Sequence, residues 1–433
     1  MGASVVQHLR DHGTFNLKLT IVAVIGQKEE VGFSQLVVHP TLKEYGHIHT
    51  MLTKCTDYNL CDSFALEKKL LLLAGFYPNR EKKYLRLYYL SAFINLVISY
   101  GQLVTMVIQM VLDRSDLLKL TESLLYFFTH FTFICKLLNF QCYFNELKKI
   151  EDFLTDPAFY GFSSTQLEII KIKIRSCDTI ANIFRVCCSC TITFYSMVPF
   201  IDATRKGALP LPGWFPYDIQ KYYSVTFFLQ VVSVIISAYG NTGIDILTWK
   251  LISIASAQFE ILKQNLEEID FENDFDETKE LLVKCINHHL KIVELTKKVQ
   301  NAFSKGMFLQ LFCSIGVICT NGFQMVLVPI ASSQFAFSVS YLCGMTCQIA
   351  TYCWYGHDVM TTSDEIARSL YMSNWYQGDH RIRKMLTIFL ENVKKPILIK
   401  AGNFVTLSLA TLTQILRSAY SYFAVLQRLY NDA

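Results

Sequence analysis

Charge of one sign is what this sequence most lacks: 40 Lys+Arg face 36 Asp+Glu, the formal net charge is +4, and no acidic or basic tail closes either end. That balance gives nucleic acid no electrostatic footing. Charged residues are also few, 18% against 52% hydrophobic, and the mean hydropathy is +0.29. Disorder is excluded and an ordinary soluble protein is disfavoured, so a membrane protein is the default. No charged, apolar, small-residue signal peptide opens the chain, and Val6 stands where myristoylation wants Ser or Thr, so the first span is expected to act as its own signal. HExxH, GxSxG, Walker A and GxGxxG patterns are missing, as are paired carboxylates within a span. The expectation is no enzyme, no cofactor and no metal.

Long uncharged runs are what the sequence has instead. Leu87 to Leu112 carries no Asp, Glu, Lys or Arg, and at ~1.5 Å per residue a helix of about 26 residues exceeds a ~30 Å bilayer core. Gly306 to Gly356 is equally free of charge and suits two helices joined by a turn at residues 329–333. Tyr222 to Ile244 is clean, and Ala401 to Gln427 is broken only by Arg417. Leu120 to Tyr143 and Thr179 to Ile201 are weaker spans. The resulting fold class is an all-α membrane protein with seven transmembrane helices.

Lys and Arg favour the cytoplasmic side, and they crowd alternate segments. Lys68, Lys69, Lys82, Lys83 and Arg86 precede span one, Lys148, Lys149, Lys171 and Lys173 follow span two, and residues 249–302 and 368–400 hold many more. The other side has Arg114, Lys119, Arg205, Lys206, Lys221 and Arg428. The expected N-terminus is cytoplasmic and the C-terminus extracellular, opposite to G-protein-coupled receptors. Lys136, Arg185 and Lys305 fall at the cytoplasmic interface, where they can snorkel.

Few residues invite chemistry. Cys285-x-x-His288-His289 could ligate a metal, but vicinal histidines on a helix point to different faces, and one buried and one wet histidine is the expectation. Cys187-Cys188-x-Cys190 reads as packing. The acidic stretch 267–277 lacks the spacing and glycine of a calcium loop and reads as a solvated loop between cytoplasmic helices. Leu209-Pro210-Leu211-Pro212-Gly213-Trp214-Phe215-Pro216-Tyr217 is stiffened by proline, and two readings stand level, a lid over a pocket or an interfacial aromatic belt. Ser363, before Asp364 and Glu365, is expected to cap a helix through Leu370 and Trp375. In the last span Gln414, Ser418, Ser421, Val425 and Leu429 recur at helical spacing, polar in mid-membrane and apolar at the outer end. Such a stripe suits either a water pathway with a dewetting gate or helix packing, and a pore would need copies from several subunits.

Lys395-Pro396, Ala401-Gly402-Asn403-Phe404, Leu407-Ser408-Leu409 and the run Ile415 to Leu426 closely resemble the C-terminal signature of insect odorant receptors. Leu71 to Pro78, Cys285-x-x-His288-His289, Cys353-Trp354-Tyr355-Gly356 and Ala367-x-x-Leu370-Tyr371-x-Ser373-x-Trp375 add to the resemblance. It divides the chain into an unmatched cytoplasmic extension (1–69) and a seven-helix domain (70–433), with 249–302 a cytoplasmic helical anchor loop and 401–429 the pore helix. It implies a tuning subunit of an odorant-gated, non-selective cation channel, heterotetrameric with a shared co-receptor, in the plasma membrane of olfactory sensory neuron dendrites. By the family pattern Val425 and Leu429 form the gate. The family's ligands bind in the outer half of the bundle, and side chains at that depth are Phe127, His130, Tyr195, Thr226, Gln230, Phe337 and Tyr341, a small pocket with aromatic walls and few polar anchors for a small volatile apolar ligand. A metabotropic seven-helix receptor signalling through G protein is the alternative.

Overall fold

The computed structural model describes residues 59–77, 85–160, 163–201, 209–272, 274–330 and 332–432, all within the compact unit Cys55–Ala433. Its helices are α1 (Ala65–Leu73), α2 (Leu85–Leu112), α3 (Leu117–Cys142), α4 (Phe144–Phe153), α5 (Ser164–Ile201), α6 (Tyr223–Glu267), α7 (Phe275–Leu327), α8 (Ser333–Met372), α9 (His380–Val393) and α10 (Leu409–Asp432). Short 3₁₀ turns at Leu60–Phe64, Pro157–Phe159 and Trp375–Gln377, and a hairpin of β1 (Lys400–Ala401) and β2 (Val405–Thr406), complete the described elements. Most of residues 1–69 lie outside the described residues. Leu60 and Phe64, at the end of that stretch, belong to the main hydrophobic core.

Among the described residues, α2, α3, α6 and α7 contain stretches long and apolar enough to cross a membrane. Their exposure follows that composition. On α2, Leu87, Leu90, Phe93, Val97, Val104, Val107 and Val111 are exposed, while Ser99, Gln102 and Met106 are buried at i, i+3 and i+7. The apolar face therefore points out and the mixed face in, the reverse of a helix in water. In α6, Val225, Phe228, Leu229 and Ile235 are exposed in the first half, whereas Thr242 to Phe259 is buried on every side. A helix apolar and buried all round is the centre of a protein core, and α5, α7 and α8 surround α6 there.

Local sequence explains the ends. Asp116 caps α3 by accepting from the Leu118 and Lys119 N–H groups at 3.1 and 3.2 Å. Ser332 caps α8 through the Phe335 N–H at 3.1 Å, which puts the expected turn between α7 and α8 where the sequence placed it. Gly75, at φ +76°, closes α1, and the Phe76 and Tyr77 N–H groups both reach the Leu71 carbonyl, at 2.8 and 3.0 Å.

Several expectations are corrected. Residues 401–408 are not the start of the last helix: Gly402 and Asn403 adopt φ of +62° and +69°, which no α-helix tolerates, and turn the chain between β1 and β2. The Gly402 N–H donates to the Ser304 carbonyl at 2.9 Å, so the hairpin is stitched to α7 and α10 begins at Leu409. Ser363 caps no helix. It sits within α8, and its hydroxyl accepts the Ile397 N–H at 2.9 Å. Lys136 and Arg185 do not snorkel. Lys136 is buried against Asp245, and Arg185 pairs with buried Glu67. Lys305 is exposed, its ammonium 5.2 Å from the Tyr143 ring centroid. The 268–274 connection turns Ile269 and Phe271 into the core.

Candidate functional site

A second apolar cluster, separate from the main core, gathers Met106 of α2, Leu125 and Tyr126 of α3, Leu211 of the Pro-rich loop, Val317 of α7 and Phe337 of α8. Tyr341 and Val234 pack against it. Each helix contributes near its 112, 117, 223, 327 or 333 end, the end that also carries the Pro-rich loop.

That loop is a lid held from below. The Gln230 amide makes both of its bonds to one residue, accepting the Leu211 N–H at 3.1 Å and donating to the Leu211 carbonyl at 3.0 Å. Prolines on either side of Leu211 give no N–H and keep the chain extended, so the loop presents the one backbone unit that an amide can clasp. Further along, the Trp214 N–H donates to the Thr105 carbonyl of α2 at 3.1 Å. Tyr217 Oη stands 2.9 Å from Thr226 Oγ1. Leu211 is buried while Trp214 and Tyr217 are exposed at the rim.

Of the residues expected to line the pocket, Phe337 and Tyr341 stand together, ring centroids 5.5 Å apart, and Tyr341 shares a hydrogen bond with Thr129. Thr226 and Gln230 are buried beneath the lid, already engaged with it. His130 is buried, its Nε2 2.8 Å from the Ser99 carbonyl. Phe127 stands apart, half-buried and stacked on Phe131 at 5.4 Å. The side chain of Tyr195 lies outside the described residues. Sequence reasoning passed over Leu211, Met106 and Tyr126. The i, i+3, i+7 spacing of Ser99, Gln102 and Met106 was the available signal, hidden because outward valines dominate α2.

On α10, Ile415 and Ala419 are buried, Phe423 lies 3.6 Å from a Cβ built on Gly322 of α7, and Tyr430 meets Phe323 edge-on at 5.6 Å. The other side holds Gln414, Ser421, Val425 and Leu429, all exposed, with Ser418 half-exposed.

Cys285-x-x-His288-His289 is a packing unit. Both histidines are buried, which corrects the expectation of one wet ring. His288 Nε2 lies 2.9 Å from Gln258 Oε1, and His289 stacks edge-on to Phe389 at 5.5 Å. Burial pushes both imidazoles down to about 4 and the Cys285 thiol up to about 12.

Outward apolar faces on long helices, with a loop packed over a second apolar cluster, define an all-helical membrane protein. The profile of the family described as 7tm Odorant receptor matches residues 116–420. The chain belongs to that family. It is 26% identical over 272 residues to Odorant receptor Or1 of Anopheles gambiae, covering 56% of this chain and 65% of that one. It is 29% identical over 302 residues to Odorant receptor 85b of Drosophila melanogaster, covering 66% and 75%. Its alignments thus span about two thirds to three quarters of these relatives. Its fold is that of the insect olfactory receptor OR5 from Machilis hrabei, solved in complex with eugenol, at a TM-score of 0.77, 15% identity, and coverage of 86% of this chain and 98% of that one.

Proposed function

We propose that the chain is an odorant-sensing subunit of a ligand-gated, non-selective cation channel in the plasma membrane of olfactory neuron dendrites. It crosses the membrane seven times, with the N-terminus cytoplasmic and the C-terminus extracellular. The crossing parts are 87–112, 120–142, 179–201, 223–244, 306–327, 333–356 and α10, which leaves 249–302 in the cytoplasm. A volatile ligand enters the cluster beneath the 209–217 lid, where Tyr341, Phe337 and the residues around Gln230 supply contacts. It binds the open arrangement better and shifts the population toward it.

The observation that carries this reading is the two-sided α10. Ile415 and Ala419 are buried, while Gln414, Ser421, Val425 and Leu429 form a face that runs from polar to apolar and is uncovered in a single chain. One such face encloses nothing. Four subunits, the shared co-receptor among them, close it into a wall around an axis, polar for water and gated at Val425 and Leu429. Eugenol, the ligand of the structurally similar OR5, belongs to the small volatile class this site suits.

The test joins topology to current. A spaced glycosylation acceptor is added at either terminus and scored in microsomes, and the chain is co-expressed with the co-receptor under voltage clamp. The expected result is modification at the C-terminus alone and odorant-evoked cation current without G protein. Modification at the N-terminus alone, with current that depends on G protein, would replace this reading by a metabotropic receptor.

A further inference from the structure

Three helices that pack on one another each carry a buried face with polar side chains on it. These faces are Ser99, Gln102 and Met106 on α2, Ser123, Tyr126 and His130 on α3, and Thr226, Gln230 and Ser233 on α6, each at one-face spacing. The faces are tied where contacts can be read. The Ser99 carbonyl meets His130 at 2.8 Å, Met106 and Tyr126 share the apolar cluster, and Gln230 holds Leu211 of that cluster. Gln102 lies on the same face of α2, between the residue that meets His130 and Met106.

These faces carry polar atoms left without partners. Among the described residues, Ser99 Oγ, Gln102 Nε2, Ser123 Oγ and Ser233 Oγ are buried and have no hydrogen-bond partner. In an environment of lipid and packed side chains an unpaired amide N–H is expensive, and such groups find partners in folded proteins. Gln102 is the most telling of the four. A serine hydroxyl can turn back to a carbonyl of its own helix, whereas the end of a Gln side chain offers two N–H donors and needs an acceptor brought to it.

We propose that the ligand carries a hydrogen-bond-accepting oxygen, that of a ketone or ester, which docks on the Gln102 amide between α2, α3 and α6 while its carbon chain fills the apolar cluster under Leu211. The inference rests on the reading of this cluster as the odorant site. Selection is for oxygenated volatiles over hydrocarbons of the same shape, since a hydrocarbon leaves the amide unpaired.

The test is a binding measurement that needs no channel activity. The detergent-solubilised full chain is melted with ketones and acetate esters of about six to ten carbons, each beside the hydrocarbon of the same skeleton, sizes that suit a pocket for a small volatile ligand. The ketone or ester is expected to raise Tm at concentrations about tenfold below its hydrocarbon partner, the worth of one hydrogen bond. Gln102→Met keeps the length and removes the donor, and should erase that ratio while leaving hydrocarbon binding in place. Ser233→Ala, a smaller change on the buried face of α6, should lower the ratio if Gln102→Met fails to fold. Equal concentrations for both members of each pair, a ratio that survives both variants, or no stabilisation by any volatile overturns the inference. Selective stabilisation without evoked current upholds it and counts against the channel reading alone.

Discussion

Lys136 of α3 and Asp245 of α6 form an ion pair whose side chains are 2% and 0% exposed. Its carboxylate accepts from α8 and, through Gln348, is linked to α7. Tyr352 donates to Asp245 Oδ1 at 2.6 Å, Gln348 donates to Oδ2, and Gln310 of α7 donates to Gln348 at 2.9 Å. Lys136 also donates to Asn241 at 2.9 Å, and a crevice with room for about one water opens beside it. Four helices thus meet through one buried charge pair.

Breaking this pair on one side should be far worse than deleting it. Asp245→Leu strands a buried ammonium and is expected to cost about 3–5 kcal/mol, whereas Lys136→Met with Asp245→Leu should recover most of that loss. Melting temperatures of the solubilised variants decide it, and a double variant no more stable than the single one would contradict the pairing account.

Two glycines leave no room for a side chain. A Cβ on Gly356 would lie 2.3 Å from the Leu407 Cβ and 2.7 Å from its carbonyl oxygen. One on Gly402 would lie 2.9 Å from the Phe308 ring, at a φ of +62° that L-residues avoid. Gly356→Ala and Gly402→Ala should each destabilise by about 1–3 kcal/mol through overpacking and backbone strain. Gly344→Ala, with nothing within 4 Å, is the control and should leave Tm unchanged.

His288 and His289, in the proposed cytoplasmic part of α7, make stability depend on pH. Their folded-state values near 4 lie below the ordinary 6.5, so the unfolded chain binds more protons between those limits. Stability is therefore full above about 6.5 and falls as pH drops toward 4, by up to about 1.4 kcal/mol per unit per histidine. His289→Phe, which keeps the edge-on contact with Phe389, should flatten the Tm-against-pH curve over this range; an unchanged slope would remove His289 from the account.

One amide holds the buried Leu211 of the lid. Gln230→Leu removes both bonds to Leu211 and should speed ligand entry and exit, seen as faster current onset and decay with little change in surface level. Tyr341→Ala opens space beside Phe337 and should shift half-maximal concentrations for several ligands. Identical kinetics in the first variant and identical dose-response curves in the second would exclude these roles.

At the proposed gate, Val425→Ala trims an exposed apolar side chain on α10 and should raise basal current of the co-expressed channel or change its evoked current. Currents indistinguishable from those of the parent would assign gating to the co-receptor's copies alone.

Composition and uncharged runs were enough to establish that this chain is helical and lives in a membrane, because burying backbone in lipid leaves few other solutions. The C-terminal signature was enough for the family, and its physical content is visible at Gly402-Asn403, whose left-handed backbone a helix-period pattern overlooks. What the sequence could not show is which polar residues meet. Lys136 and Asp245 are 109 positions apart, Leu211 and Gln230 lie on a loop and a helix with no shared periodicity, and both histidines turn inward because α6 and Phe159 pack on His288 while α9 covers His289. Helical spacing reports a side chain's direction on its own element. Only the packing of one element on another decides whether that direction ends in lipid, in water or on a partner.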